Sequence, residues 1–119
     1  PQPSVKERIL EFRAGDALVT LSIFPGLTGD LASNVNRWRQ QAGLASVSPA
    51  EAQEAARSMT FLGKEGNYVE VMGPSRGIVC AFVLDDQASM FLKMDGTPEA
   101  VDRQKSAFHS FVQTLRINH

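Results

Sequence analysis

Residues Ile78 to Leu84 read Ile-Val-Cys-Ala-Phe-Val-Leu, an unbroken apolar run. A strand that alternates apolar with polar residues has one dry face. A strand apolar at every position has two, and both must be covered. In a chain of 119 residues, a length that suits one domain, this run therefore predicts the central strand of a single sheet.

The neighbouring segments read as strands that flank it. Ile9 to Arg13 alternates, with Leu10 and Phe12 opposite Glu11 and Arg13, and Ala14-Gly15-Asp16 is a turn signal. Ala17 to Phe24 resumes with Leu18, Thr20, Ser22 and Phe24 opposite Val19, Leu21 and Ile23. So short a joint makes the two runs a hairpin. Met59 to Leu62 and Tyr68 to Met72 flank Gly63-Lys64-Glu65-Gly66, which reads as a hairpin loop. Gly73-Pro74-Ser75-Arg76-Gly77 is the next breaker, Asp85-Asp86-Gln87 the turn after the central run, and Ala88 to Met94 a further strand.

Three segments change to helical period. Leu31, Val35, Trp38 and Ala42 fall on one stripe, with Thr28 or Asp30 able to cap the start and Gly43 placed for a left-handed C-terminal residue. Ser48-Pro49-Ala50-Glu51 is a capping box with proline at the first helical position, and opens a helix expected to run to about Arg57. Thr97-Pro98-Glu99 caps a last helix with Val101, Phe108, Phe111, Val112 and Leu115 on its inner stripe. Two strands, two helices, four strands and one helix contain no βαβ alternation. The expected class is α+β, a mainly antiparallel sheet of about six strands with helices packed on it. The expected organisation is a flexible linker over residues 1–7 and one domain over 8–118.

Two stretches carry a family resemblance. Met90-Phe91-Leu92-Lys93-Met94, then Gly96 and a proline-capped helix with Phe108 and Phe111, resembles the C-terminal end of PsbP-like and Ran-binding Mog-type domains. It is similar also to the end of small exported bacterial proteins and lipoproteins of that general shape. Asn34-Val35-Asn36-Arg37-Trp38-Arg39 followed by Gln40-Gln41-Ala42-Gly43-Leu44 resembles a segment of such bacterial proteins. The resemblance covers about half the chain and implies a central antiparallel sheet with helices on its two faces. The theme of these families is binding and assembly without catalysis, and none of their functional residues carries over to a position here.

Composition narrows the chemistry. Twelve basic against 13 acidic side chains give a net charge of -1, which argues against nucleic-acid binding by phosphate neutralisation. No apolar run reaches the length needed to span a bilayer. One cysteine excludes an intramolecular disulfide, and Cys80, in the most apolar run, reads as a buried inert thiol. His109, next to Phe108, is expected at the edge or on the outer face of the last helix, and His119 is the final residue. Neither has a nucleophile motif beside it, and no G-x-S-x-G elbow exists. Asp85-Asp86 with Asp95 would make at most a weak cation site, and no cofactor is expected.

The candidate ligand or partner surface is Asn34, Arg37, Trp38, Arg39, Ser75 and Arg76. On a helix, Asn34 and Trp38 share a face with Arg37 and Gln41 beside them, while Asn36, Arg39 and Gln40 point elsewhere. Two readings stay open. Trp38 packs on the sheet with Asn34 bonded to a loop's backbone, or the segment is a binding surface, since tryptophan and arginine are enriched at hot spots. Ser75 and Arg76 sit in a Gly-bounded turn that lacks phosphate-loop spacing. The Pro1-Gln2-Pro3-Ser4 stretch suits a linker left after removal of a signal peptide or lipid anchor. The expected function is a non-catalytic accessory or binding domain of a bacterial cell-envelope protein, with a protein partner there. It would be exported, periplasmic or membrane-anchored, and otherwise cytoplasmic. The alternative is a small enzyme or small-ligand-binding protein with a cleft near the Trp38 helix.

Overall fold

The computed structural model describes residues 7–115. The linker expected over residues 1–7 lies outside them, apart from Glu7, which opens the first strand. His119 and residues 116–118 of the expected domain lie outside as well.

The elements run β1 (Glu7–Ala14), β2 (Ala17–Pro25), α1 (Leu31–Gln41), α2 (Pro49–Ala55), β3 (Arg57–Phe61), β4 (Lys64–Met72), β5 (Gly77–Leu84), β6 (Ala88–Gly96) and α3 (Pro98–Thr114). The six strands form one sheet in the order β1-β2-β6-β5-β4-β3, with every pairing antiparallel. The two hairpins at the chain ends thus meet through β2 and β6, and the apolar β5 is interior to the sheet.

Alternation decides what each face carries. Val79, Ala81 and Val83 of β5 join Val19, Leu92 and Met94 in a core closed by Val101, Phe108 and Val112 of α3. Ile78, Cys80 and Phe82 face the other way and join Val69 and Phe91 beneath Val35, Trp38 and Ala42, with Ala52 of α2 beside them. Both faces of β5 are therefore dry, as an all-apolar strand requires.

The helix starts follow their caps. The Asp30 carboxylate accepts from the Ser33 N–H at 2.8 Å, and the Ser33 hydroxyl answers the Asp30 N–H. The Ser48 and Glu51 side chains make the reciprocal box at α2, and Thr97 Oγ1 accepts from the Ala100 N–H.

Three local expectations need correction. The helix expected to reach Arg57 stops at Ala55, because Ala56 is already extended and Arg57 pairs with Tyr68. Strand pairing outweighs the helical propensity of one more turn. The loop expected over Gly63–Gly66 is a two-residue turn. Leu62 and Gly63 both have positive φ (54° and 78°), the requirement of a type I′ hairpin, and Lys64, Glu65 and Gly66 already pair in β4. On α3, Val101, Phe108 and Val112 are buried, but Phe111 and Leu115 are only half-buried. Phe111 reaches the β1 edge of the sheet, where it meets Phe12 edge-on at 5.9 Å.

Candidate functional site

The uncovered part of the sheet defines the site. On the α1 face, helix α1 packs toward β4 and β5, and its Trp38 sits edge-on over Phe82 of β5 and Phe91 of β6, at 5.2 and 6.1 Å. Beyond Phe91 the face continues along β6 and β2, where β2 presents Leu18, Thr20, Ser22 and Phe24. The result is a cavity of about 390 Å³ between α1 and the β2–β6 pair, within the usual size range for small-molecule sites. Its floor is Phe91, Lys93 and Asp95 from β6 with the four β2 residues. Its wall is Arg37, Trp38 and Gln41 from α1, and Thr28 from the β2–α1 loop closes one end.

Antiparallel register sets the floor. Thr20 stands opposite Lys93, Ser22 opposite Phe91 and Leu18 opposite Asp95. The hydroxyl of Ser89, fully buried, holds the end loop in place by donating to the Gly26 carbonyl and accepting from the Thr28 N–H, both at 2.9 Å. Asn34, also fully buried, donates to the carbonyls of Thr28 and Asp30 at 3.1 and 2.8 Å. Its Oδ1 has no hydrogen-bond partner among the described residues.

Charge in the cavity is unevenly matched. Both carboxylate oxygens of Asp95 are engaged by the Arg76 fork, Nε to Oδ1 and Nη2 to Oδ2, each at 2.6 Å. This pair raises the Arg76 pKa further, first through the hydrogen bond and then through charge. Lys93 is half-buried. Burial is the main cause holding its ammonium below the ordinary lysine range, and Arg37 and Arg76 add like-charge repulsion that Asp95 opposes. The Arg37 guanidinium lies 5.7 Å from the centre of the Trp38 ring, a cation–π arrangement that parks a positive group on the cavity wall.

The structure separates the candidate residues. Arg37 and Trp38 line the cavity. Arg76 does not, but it holds Asp95, which does. Asn34 is inside the fold, tying the β2–α1 loop. Arg39 donates from Nε to the Ala45 carbonyl at 2.7 Å and, with Asn36 bonded to both backbone groups of Val47, staples the α1–α2 loop to the helix. Ser75 is exposed on the β4–β5 loop, away from the cavity lining.

Sequence reasoning missed Lys93, Thr20 and Ser22. The available signal was Lys93 itself, the one charged residue between Ser89 and Met94, together with the hydroxyls on one side of β2. Which helix would leave that side open could not be read from spacing.

Other groups with possible chemistry are accounted for elsewhere. Cys80 is fully buried beside Lys93 in the cross-strand register, and burial pushes its thiol pKa far up. His109 stands at the edge of α3, one of the two placements expected, and not on its outer face. It is half-buried, its ring edge-on to that of Tyr68 on β4 at 4.8 Å. Asp85 pairs with Lys64 at 3.1 Å and lies at the opposite end of β6 from Asp95, so the three aspartates do not converge. No group of three or more potential metal-ligating side chains occurs among the described residues, and no described helix is long and apolar enough to cross a membrane.

What the arrangement can do is hold a small molecule that has an apolar body and polar groups. Phe24, Trp38 and Phe91 offer ring surface, and Thr20, Ser22, Gln41, Lys93 and Arg37 offer donors converging on one space. Comparison with protein-family models, with curated proteins and with solved structures finds no match to this chain.

Proposed function

We propose that this chain is a non-catalytic binding domain whose ligand site is the cavity between α1 and the β2–β6 pair, serving as an accessory domain of a bacterial cell-envelope protein. The observation that carries the binding reading is the cavity itself. It is large enough for a small molecule, walled by the only tryptophan, and furnished with convergent polar groups from three elements. Its groups are arranged for holding. Thr20 and Ser22 lack a neighbouring histidine or carboxylate base in the lining, and the one carboxylate present is occupied by Arg76. The envelope placement rests on the resemblance to small exported bacterial proteins.

The test is a screen of neutral, cationic and anionic fragments by backbone amide NMR. Binding at the site shifts the amides of Thr20, Ser22, Arg37, Gln41 and Lys93 together, and the bound fragment is recovered chemically unchanged. Fragments that leave those amides still, or that cluster on the Gly73–Gly77 loop instead, overturn the reading. Conversion of a bound fragment would favour the enzyme alternative.

A further inference from the structure

We infer that the cavity takes a small organic anion, its carboxylate or phosphate group seated between Lys93 and Arg37 and its apolar body against Trp38 and Phe91. This rests on the binding reading above and specifies the chemistry of its ligand.

The argument is a charge account of one cavity. Its lining carries two cations, Arg37 and Lys93, against one carboxylate, Asp95. Asp95 is spent, since each of its oxygens accepts from a different nitrogen of Arg76. Cys80, the cross-strand neighbour of Lys93, cannot serve as a counter-charge, because full burial keeps it a neutral thiol. Glu11 sits on β1 opposite Thr20, one strand further out than the Thr20–Lys93 pair. Among the described residues, neither Lys93 nor Arg37 thus has a carboxylate partner of its own.

A half-buried ammonium without an ion partner is costly. A half-buried sheet position would more cheaply hold an apolar residue, as its neighbours Phe91 and Cys80 do. Lys93 stands on the floor and Arg37 on the helical wall, so an anion held between them would meet an ammonium and a guanidinium at once. Both contacts are charge-assisted, the stronger class of hydrogen bond. The floor also supplies the Thr20 hydroxyl directly beside Lys93. The ring surfaces adjoining these donors rule out a bare inorganic ion as the best fit. Trp38 meets Phe91 edge-on, and Phe91 meets Phe24 the same way at 5.6 Å, which leaves an aromatic wall beside the charged end.

The experiment reads Trp38 fluorescence, which is unambiguous in a chain with one tryptophan. Phenylacetate and phenyl phosphate are titrated in parallel with the neutral isostere phenylacetamide and with inorganic phosphate. Both organic anions are expected to bind at least about tenfold tighter than phenylacetamide, as charge-assisted contacts require, and tighter than inorganic phosphate. The order of phenylacetate and phenyl phosphate identifies carboxylate or phosphate as the native group. Lys93→Met should abolish the preference for anions over phenylacetamide, and Lys93→Arg should restore it. Should Lys93→Met fail to fold, Arg37→Gln in the otherwise unaltered protein must weaken the anions more than it weakens phenylacetamide. Equal binding of anionic and neutral probes overturns the anion inference and leaves the binding site standing. Absence of binding by every probe, in the fragment screen as well, overturns both.

Discussion

Replacing Gly73 by alanine tests how helix α1 is seated, and hence how the cavity keeps its shape. Gly73 follows β4 directly and lies against the C-terminal end of α1. A Cβ added there overlaps the Ala42 carbonyl oxygen and stands 2.8 Å from that carbonyl carbon and 2.9 Å from the Ala42 Cβ. Non-bonded carbons settle at about 3.5–4.0 Å, so helix and loop would have to part by roughly 1 Å. Neither yields easily. Ala42 is fully buried and its N–H donates to the carbonyls of Trp38 and Arg39, while the Gly73 N–H donates to the Arg76 carbonyl at 2.9 Å.

Overpacking of this kind costs about 1–3 kcal/mol, and a backbone opposed to a backbone belongs at the upper end. At about 4 °C per kcal/mol for a domain of this size, the melting temperature should fall by roughly 8–12 °C. Urea unfolding followed by Trp38 fluorescence measures it directly, since Trp38 lies one turn before Ala42. The displaced helix also changes how Trp38 and Gln41 stand relative to Lys93, so phenylacetate affinity should change in the folded variant. A Gly73→Ala protein within about 0.5 kcal/mol of the parent, the scale of an ordinary surface substitution, would refute the claim that this contact seats the helix.

Three other outcomes are expected. Phe108→Ala, emptying a buried site on α3, should cost about 3–5 kcal/mol, whereas Phe111→Ala, half-buried against Phe12, should cost about half that; equal shifts in urea midpoint would contradict this burial order. Cys80 should resist a thiol reagent at neutral pH in the native protein and react promptly in denaturant, because burial blocks access and suppresses the thiolate, and fast native labelling would show that the strand opens. Asp30, whose pKa is lowered chiefly by the hydrogen bond from the Ser33 N–H, contributes stability that is fully present above its unfolded value of about 3.9. That contribution is lost as pH falls through the lower folded value. Asp30→Asn keeps a capping oxygen but cannot titrate, so its melting-temperature gap to the parent should hold steady near neutrality and change only in acid; a gap independent of pH would exclude the linkage.

Local chemistry was legible where a residue's role depends on its immediate neighbours. The capping box Ser48-Pro49-Ala50-Glu51, the Thr97-Pro98 start of α3 and the left-handed Gly43, with φ of 83°, are all satisfied within a few residues of themselves. The period of two placed Thr20 and Ser22 opposite Val19 and Leu21, and the apolar run Ile78–Leu84 fixed the interior strand. Boundaries failed where a distant partner competed. Arg57 left the helix for Tyr68, and Lys64 left the turn for Phe61, because a cross-strand partner offers a backbone hydrogen bond that local propensity cannot weigh.

Residue order and spacing specify an α+β chain whose central strand is dry on both sides and whose only tryptophan lies on a helix. They could not say that β2 would pair with β6. That pairing closes the sheet between segments some 70 residues apart and puts Thr20 beside Lys93. Nor could they say that α1 would pack toward β4 and β5, leaving the hydroxyl side of β2 open, since helix placement depends on how the ridges of one surface fill another. It was likewise the tertiary structure that gave Asp95 to Arg76 and left Lys93 and Arg37 facing a common space. Charges far apart in sequence acquire their partners only when the chain has folded around them.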